Sequence, residues 1–456
     1  MDKLMEINGI INSFVWGPYM LILLVGTGVY LTLRTNFMSI TKLGYILKNT
    51  LFKMFKKEGK GEGEITAFQA VATALAATVG TGNIAGVATA IALGGPGAVF
   101  WMWLSAIFGM TTKFGEVVLS INYREKTPDG RFVGGPMYYI EKGLKMKWLA
   151  YVFAVFGAIA AFGIGNMVQS NSVAASLEVS FGVNKLVTGF LLAILSAIVI
   201  IGGIKRIGQV TERLVPFMAA FYVIGGLYII IINISHIGEA FGLIFGSAFT
   251  GSAAVGGFAG STMKIAMTRG IARGVFSNEA GLGSAPIAHA AATTDHPVRQ
   301  GLWGVFEVFV DTIIICSITA LSIIMSGVWS SGATGSELTT LAFDKTIPGI
   351  GGYIVSIGIL LFAFSTILGW AYYGERCAEY IFGPKVNMIY RIIWIPFIVI
   401  GAIGGLNALW DLADTLNGLM AIPNLIGVLG LSGVVIKLTK DFFTSELSES
   451  SSNIDV

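Results

Sequence analysis

Two stretches of this chain place glycine, hydroxyl and amide residues where an apolar helix would otherwise continue. In ITAFQAVATALAATVGTGNIAGVATAIA, residues 66–93, the pattern is interrupted at its centre by Thr78-Val79-Gly80-Thr81-Gly82-Asn83. A similar interruption, Arg273-Gly274-Val275-Phe276-Ser277-Asn278-Glu279-Ala280-Gly281-Leu282-Gly283-Ser284, falls inside the apolar stretch 263–293. A helix rises about 1.5 Å per residue, so residues 66–77 and 83–93 each cover about half of a hydrocarbon core roughly 30 Å thick. The first interruption therefore falls at mid-membrane. Unwound backbone is stable there only beside a protein-lined cavity, where its freed N–H and C=O groups can bind a ligand.

Other polar residues sit in apolar runs. Phe162-Gly163-Ile164-Gly165-Asn166-Met167-Val168-Gln169-Ser170-Asn171 is an unusual cluster for a span. Asn166 and Ser170 share a face at i, i+4 spacing and Gln169 lies beside both, so these residues either face a ligand or bond between helices. Ser365 and Thr366 are adjacent hydroxyls followed four residues later by Trp370. Intramembrane charges are costly and need partners. Lys113 and Glu116, at i, i+3, are expected to form a structural pair. Arg269 and Arg273 on one span are expected to bridge to Glu307 and Asp311 on the next, with Glu279 or Asp311 as the alternative carriers of proton or cation coupling.

The elements that must hold these residues are membrane spans. Hydrophobic residues make up 54% of the 456 and charged residues 12%, against about 25% charged in a soluble chain. Mean hydropathy is +0.77. The 60 glycines favour helices that pack closely or unwind. Apolar runs near 13–33, 66–93, 97–121, 149–176, 185–203, 213–233, 263–293, 300–327, 351–374, 390–405 and 412–436 predict eleven transmembrane helices. Of the 29 lysines and arginines, 22 lie in 34–65, 122–148, 204–213, 294–299, 375–391 and 437–456, which places the N-terminus outside and the C-terminus inside. The net charge of +3 then reflects loops facing anionic lipid, and nucleic-acid binding has no support. MDKLMEINGIINSF lacks the basic and apolar regions of a cleavable signal, so the first span is expected to remain. Cys316 and Cys377, 61 residues apart in apolar context, suggest neither a disulfide nor a metal site.

The predicted organisation is an extra N-terminal helix and basic linker (1–65), a first five-helix unit (66–233), an outer hairpin or loop (234–262), a second five-helix unit (263–436) and a disordered cytoplasmic tail (437–456). By the charge count the two five-helix units, spans 2–6 and 7–11, have opposite topology, and each begins with a broken helix. That is the pattern of an inverted-repeat secondary transporter with a midplane site.

The run Gly94-Gly95-Pro96-Gly97-Ala98-Val99-Phe100-Trp101-Met102-Trp103-Leu104-Ser105-Ala106-Ile107-Phe108-Gly109, with TVGTGNIAGVATAIA and SNEAGLGSAPIAHAAA, resembles the alanine or glycine:cation symporters, of the amino acid-polyamine-organocation superfamily. The resemblance extends over essentially the whole chain. It implies an all-α membrane protein of leucine-transporter-type fold in the plasma membrane, with a 5+5 inverted repeat after one extra helix. The implied activity is sodium-coupled, in some members proton-coupled, uptake of alanine or glycine, with no cofactor and with a functional monomer. A zwitterion needs donors for its carboxylate and acceptors for its ammonium. The N–H groups of Gly80, Thr81 and Gly82, at the start of the half-helix opening at Asn83, can hold a carboxylate with help from the helix dipole. Thr78 lies beside them, and Gln169 or Asn166 can add an amide. Carbonyls around Phe276, Ser277 and Asn278 can accept from the ammonium, with Phe276 and Trp370 closing a small pocket. In that fold Ser365 and Thr366 join backbone carbonyls, here those of Ala76 and Val79, to bind sodium, a hard cation that neutral oxygens suit; otherwise the hydroxyls bond back to their own helix.

Other functions find little in the chain. Asp344-Lys345-Thr346-Ile347 lacks the glycine that the phosphorylation motif of ion-pumping ATPases carries after threonine, and no phosphate-binding glycine loop occurs. His236, His289 and His296 are scattered, without metal spacing or a nucleophile partner. A passive channel or amino-acid sensor on the same helices is the alternative, and a membrane-embedded enzyme is weaker.

Overall fold

The computed structural model describes residues 2–54, 61–250, 263–404 and 407–452. Among them the regular secondary structure is helical apart from a two-residue antiparallel ladder, Glu125–Lys126 on Phe132–Val133, and two isolated bridges. The principal helices are α1 (Asp2–Val15), α2 (Pro18–Arg34), α3 (Ala67–Thr78), α4 (Ala85–Gly94), α5 (Gly97–Asn122), α6 (Lys147–Phe181), α7 (Lys185–Ile200), α8 (Gly203–Ile232), α9 (Ile237–Thr250), α10 (Met263–Asn278), α11 (Pro297–Met325), α12 (Gly335–Thr346), α13 (Gly351–Phe382), α14 (Val386–Ile403), α15 (Asn407–Gly430) and α16 (Ser432–Ser452). Eight described helices are long and apolar enough to cross a membrane, or nine when α3 and the segment Thr81–Gly94 count as one span; α7 is a shorter apolar helix. α6 and α11 each widen into a π-helical stretch, at Ala161–Met167 and Phe309–Cys316. Such bulges shift the side chains that follow and recur at functional sites.

α3 begins at a reciprocal cap: Gln69 N–H donates to Thr66 Oγ1 at 3.0 Å and Thr66 N–H to Gln69 Oε1 at 3.1 Å. It ends at Val79, and the chain leaves for α4 at 58° to the original axis. The second interruption lies further along than the composition predicts. α10 stays helical through Phe276 and Ser277 to Asn278. The break follows, with Glu279 at φ +55°, Gly281 at +91° and Gly283 at +83°, and only one helical turn, Pro286–His289, comes after it. The left-handed residues set the place, because a helix cannot propagate through them.

α3 and α10 occupy the middle of the molecule. α5 runs alongside α10 and α11, and α13 packs on α3 and α6. The basic loop segments 122–148 and 375–391 carry ion pairs to helix residues: Arg131 Nη2 to Glu379 Oε1 at 2.9 Å and Arg391 Nε to Glu375 Oε2 at 2.5 Å. The segment expected as an outer hairpin contributes α9, which packs on α5; residues 251–262 lie outside the described residues. The tail expected to be disordered is instead helical as far as Ser452. Val435 and Phe442 are buried, and Phe443 packs on the Tyr45 ring, so its first turns carry an apolar face that the composition of its end obscures. Residues 453–456 lie outside the described residues.

Candidate functional site

At the first break two successive backbone donors turn to side chains. Gly80 N–H donates to Asn83 Oδ1 at 2.9 Å, and Thr81 N–H points to Gln169 Oε1 at 3.4 Å. Neither returns to the carbonyl four residues back, so the Ala76 and Ala77 carbonyls lose their helical donors. Gly80 is extended, at φ −132° and ψ −154°, a conformation any residue adopts. Glycine is required there by space, since a Cβ would stand 2.6 Å from Thr366 Oγ1 and 3.5 Å from Gln169 Oε1. Thr78 bonds back to the Ala74 carbonyl at 3.2 Å.

The second break meets the first. A Cβ on Gly82 would lie 3.5 Å from Phe276 Cδ1 and 3.5 Å from Ser277 Cα, which is ordinary van der Waals contact. Ala280 N–H turns to Asn278 Oδ1 at 2.9 Å and Gly281 N–H to Glu116 Oε1 at 3.1 Å, which frees the Phe276 and Ser277 carbonyls from helical pairing. The Asn278 amide donates to Thr312 Oγ1 at 3.0 Å. Trp370 is 1% exposed and lies against Gly165, where a Cβ would stand 2.1 Å from its own Cβ. Its Nε1 donates to Glu279 Oε1 at 2.9 Å, so the ring is clamped between the π-helical stretch of α6 and the second break.

The hydroxyl pair on α13 reaches the first break directly. Ser365 Oγ and Thr366 Oγ1 each donate to the Ala76 carbonyl at 3.1 Å, and each also lies near the Phe362 carbonyl of its own helix, at 2.8 and 3.0 Å. The hydroxyls thus bond back to their own helix and also reach the carbonyl freed at the break. Gly369 permits the approach, because a Cβ there would stand 2.7 Å from the Ala77 Cβ. Val79 is buried at the end of α3, at ψ +88°; no contact between its carbonyl and these hydroxyls is found among the described residues.

Two candidates turn away from the meeting point. Asn83 Nδ2 donates to Asp311 Oδ1 at 2.6 Å, its carbonyl accepts from Thr319 Oγ1 at 2.8 Å and its Oδ1 is taken by Gly80, so it braces the break against α11. Asn166 Nδ2 donates to the Trp394 carbonyl of α14 at 2.8 Å, the interhelical alternative. Gln169, by contrast, stays at the break, anchored through Nε2 to the Ile164 carbonyl at 3.0 Å.

The buried charges pair differently from the sequence expectation. Lys113 bonds Glu307 at 3.3 Å rather than Glu116, and the other Glu307 oxygen meets His289 Nε2 at 3.1 Å. Glu116 accepts from Gly281 N–H and from Asn424 Nδ2 at 2.5 Å. Asp311 is fully buried and accepts from Asn83, Thr312 and Ser277, with no arginine among its hydrogen-bond or ion-pair partners in the described residues. Local spacing missed Asp311 as a residue joining both breaks; its signal is a lone carboxylate in the apolar run Phe309–Cys316.

The description "Sodium:alanine symporter family" covers a model matching residues 1–455. This chain belongs to the sodium:alanine symporter family. Its members are carriers, not enzymes, and this symporter is a multi-pass protein of the cell membrane. It is 55% identical to the sodium/alanine symporter AgcS of Methanococcus maripaludis over 97% of this chain and 98% of that one. It is 40% identical to the amino-acid carrier protein AlsT of Bacillus subtilis over 95% and 92% of the two chains. Among solved structures it is similar to MhsT in complex with L-phenylalanine, at TM-score 0.56 and 14% identity over 83% of this chain and 99% of that one. A Na+-coupled sialic acid symporter matches at TM-score 0.54 and 16% identity over 92% and 86%. At these identities the likeness establishes the leucine-transporter-type fold of the symporter and nothing finer.

Proposed function

We propose that this protein is a secondary active transporter that carries alanine or glycine into the cell together with sodium by alternating access. The observation that carries the reading is the meeting of the first break with the last turn of α10 before the second, Gly82 against Phe276 and Ser277, beside a helix whose Ser365 and Thr366 hydroxyls reach the freed Ala76 carbonyl. The AgcS relative, named as a sodium/alanine symporter, supports alanine and sodium.

In this reading the chain crosses the membrane eleven times, N-terminus outside and C-terminus inside, as one extra helix and two inverted five-helix units. The α-carboxylate sits at the Gly82 N–H and, by displacing Asn83 Oδ1 and Gln169 Oε1, at the Gly80 and Thr81 N–H groups, with the Gln169 amide beside it. The ammonium faces the unpaired Phe276 and Ser277 carbonyls. Asn83, Thr78, Asn278 and Asn166 shape the site from behind, and Trp370 with Phe276 keeps it small. Sodium lies between the Ala76 and Val79 carbonyls and the Ser365 and Thr366 hydroxyls. The hydroxyl oxygens, 3.1 Å from the Ala76 oxygen, suit neighbouring ligands of a cation held at about 2.3–2.6 Å, once their protons rotate away. Sodium then ties α3 to α13 and completes the carboxylate cradle, so the loaded carrier reorients more readily than the half-loaded one. A proton can replace sodium, as in some members of the family, and a monomer suffices.

Uptake of labelled L-alanine, D-alanine and glycine into liposomes, with the sodium gradient and pH varied separately, tests this. Saturable uptake driven by sodium is expected. Uptake that neither saturates nor follows either gradient would indicate a passive channel, and binding without flux a sensor.

A further inference from the structure

On the side that the loop charges assign to the cytoplasm, the ends of both interrupted helices meet beside the end of α5. The chain enters α3 through Gly61-Glu62-Gly63-Glu64-Ile65, and it leaves the second break through the single turn Pro286–His289 and then Ala290 to Thr294. These two stretches are stitched along their backbones. Glu64 N–H donates to the Ala291 carbonyl at 2.8 Å, Thr293 N–H to that of Ile65 at 2.7 Å and Thr294 N–H to that of Glu62 at 3.4 Å, and Glu62 faces Thr294 across an antiparallel bridge. The glycines allow this closeness: a Cβ on Gly61 would stand 2.2 Å from the Thr294 carbonyl oxygen, and one on Gly63 2.3 Å from Thr293 N. Arg124, two residues past α5, closes the stitch. Its Nη1 donates to the Ala290 and Ala292 carbonyls at 3.1 and 2.7 Å, and its Nη2 to the Glu62 carbonyl at 2.7 Å. The guanidinium lies over the Phe132 ring at 4.5 Å, and Glu64 accepts from Phe132 N–H. A planar fork of donors satisfies carbonyls of two segments at once, which the point charge of a lysine does not reproduce. At mid-membrane Asp311 joins the same two helices through Asn83 and Ser277, so the pair is tied at two heights. The loop that carries Phe132 meets α13 through side chains instead, Arg131 to Glu379 at 2.9 Å, and such a contact can part without orphaning backbone groups.

We propose that Arg124 is a positioning residue for transport: it locks the cytoplasmic ends of the two interrupted helices into one body, which moves as a unit when the central site opens inward. In the amino-acid symport reading, on which this rests, the carboxylate cradle at Gly80 to Gly82 lies on one of these helices and the ammonium acceptors at Phe276 and Ser277 on the other. A single body keeps the two halves of that site in register while its exposure changes. If the inner half of α3 swung away alone, the carbonyls of Glu62, Ala290, Ala291 and Ala292 would be parted together from donors that now join the two helices, and losing several such bonds at once disfavours that route.

The test uses the full chain in liposomes. Arg124→Gln should lower the maximal rate of sodium-driven L-alanine uptake about tenfold while equilibrium binding of labelled L-alanine stays within about twofold, because the guanidinium orders a movement and does not touch the amino acid. Arg124→Lys should recover little of the rate. Glu62→Cys with Thr294→Cys places one thiol on each side of the antiparallel bridge, while Cys316 and Cys377 are buried. In the chain that keeps Arg124, the oxidised pair should transport within about twofold of the reduced pair. In the Arg124→Gln chain, oxidation should restore the rate and dithiothreitol should remove it again, the covalent link standing in for the lost guanidinium. A wild-type rate in Arg124→Gln, or loss of uptake on oxidising the pair beside an intact Arg124, overturns the proposal and leaves symport standing. The oxidised pair decides the matter even where Arg124→Gln fails to fold. A wild-type protein with no gradient-driven alanine uptake would remove the symport reading and this proposal together.

Discussion

Gly80 and Thr366 approach so closely that a methyl group on the glycine would stand 2.6 Å from the threonine hydroxyl oxygen. The unwound backbone and the helix carrying the hydroxyl pair are thus in contact where the carboxylate cradle and the ion ligands adjoin. Coupling between two solutes needs such a shared element, because each can influence the other only through something both contact.

Thr366→Ala removes one of the two hydroxyls on the Ala76 carbonyl. Half-maximal sodium should rise about tenfold, while the order of preference among alanine, glycine and serine stays the same. Sodium-activation curves at fixed alanine measure this, and equal loss of sodium response and alanine selectivity would count against the ion assignment.

At Gly82 the neighbouring atoms leave room for one methyl group and no more. Gly82→Ala should retain alanine binding and Gly82→Leu should abolish it, with both proteins eluting as folded species in detergent. Unchanged affinity in the leucine variant would remove Gly82 from the carboxylate cradle.

Trp370→Phe keeps an aromatic ring against Gly165 but deletes the donor to Glu279. Loss of the hydrogen bond that clamps the ring predicts about tenfold weaker alanine binding, read by equilibrium binding of labelled substrate. Glu279→Gln retains an acceptor and should cost less; a larger effect there would show that the carboxylate has a role apart from holding the indole.

Lys113 and Glu307 are both fully buried, so removal of Lys113 leaves Glu307 without its ammonium partner, with the His289 ring on its other oxygen. Lys113→Ala should destabilise by about 3–5 kcal/mol, seen as a lower unfolding temperature in detergent. Adding Glu307→Gln should recover part of the loss. A single variant as stable as wild type would mean that the pair does not hold α5 to α11.

Glu64, in the linker before α3, accepts from Phe132 N–H at 2.5 Å. Burial is the largest influence and raises its pKa, against the lowering effects of that hydrogen bond and of Arg376, Arg131 and Lys205. The protonated form is therefore favoured by folding: the contribution is complete below the unfolded glutamate value of about 4.3 and is lost as pH rises through the folded value. Between about pH 4 and 7 the unfolding temperature of Glu64→Gln should fall less than that of wild type. Parallel curves would show that Glu64 does not contribute to the pH dependence.

Local composition was enough to find that the chain is built of apolar membrane helices and that two of them are interrupted, because a run's length against the bilayer and the presence of glycine inside it are properties of adjacent residues. Ser365, Thr366, Gln169 and Phe276, which the structure brings to the first break, stood out for the same reason, as polar or aromatic residues in apolar helices. The facing of their side chains was not. Asn83 and Asn166 had the right chemistry but spend their amides on α11 and α14, and α10 continues to Asn278 because the left-handed residues come only after it. Lys113 chose Glu307 over Glu116, and Asp311 came to join both breaks, because a buried polar group takes whichever partner packing brings within reach. That partner can be about two hundred residues away, as Glu307 is from Lys113, and only the assembled bundle decides which it is.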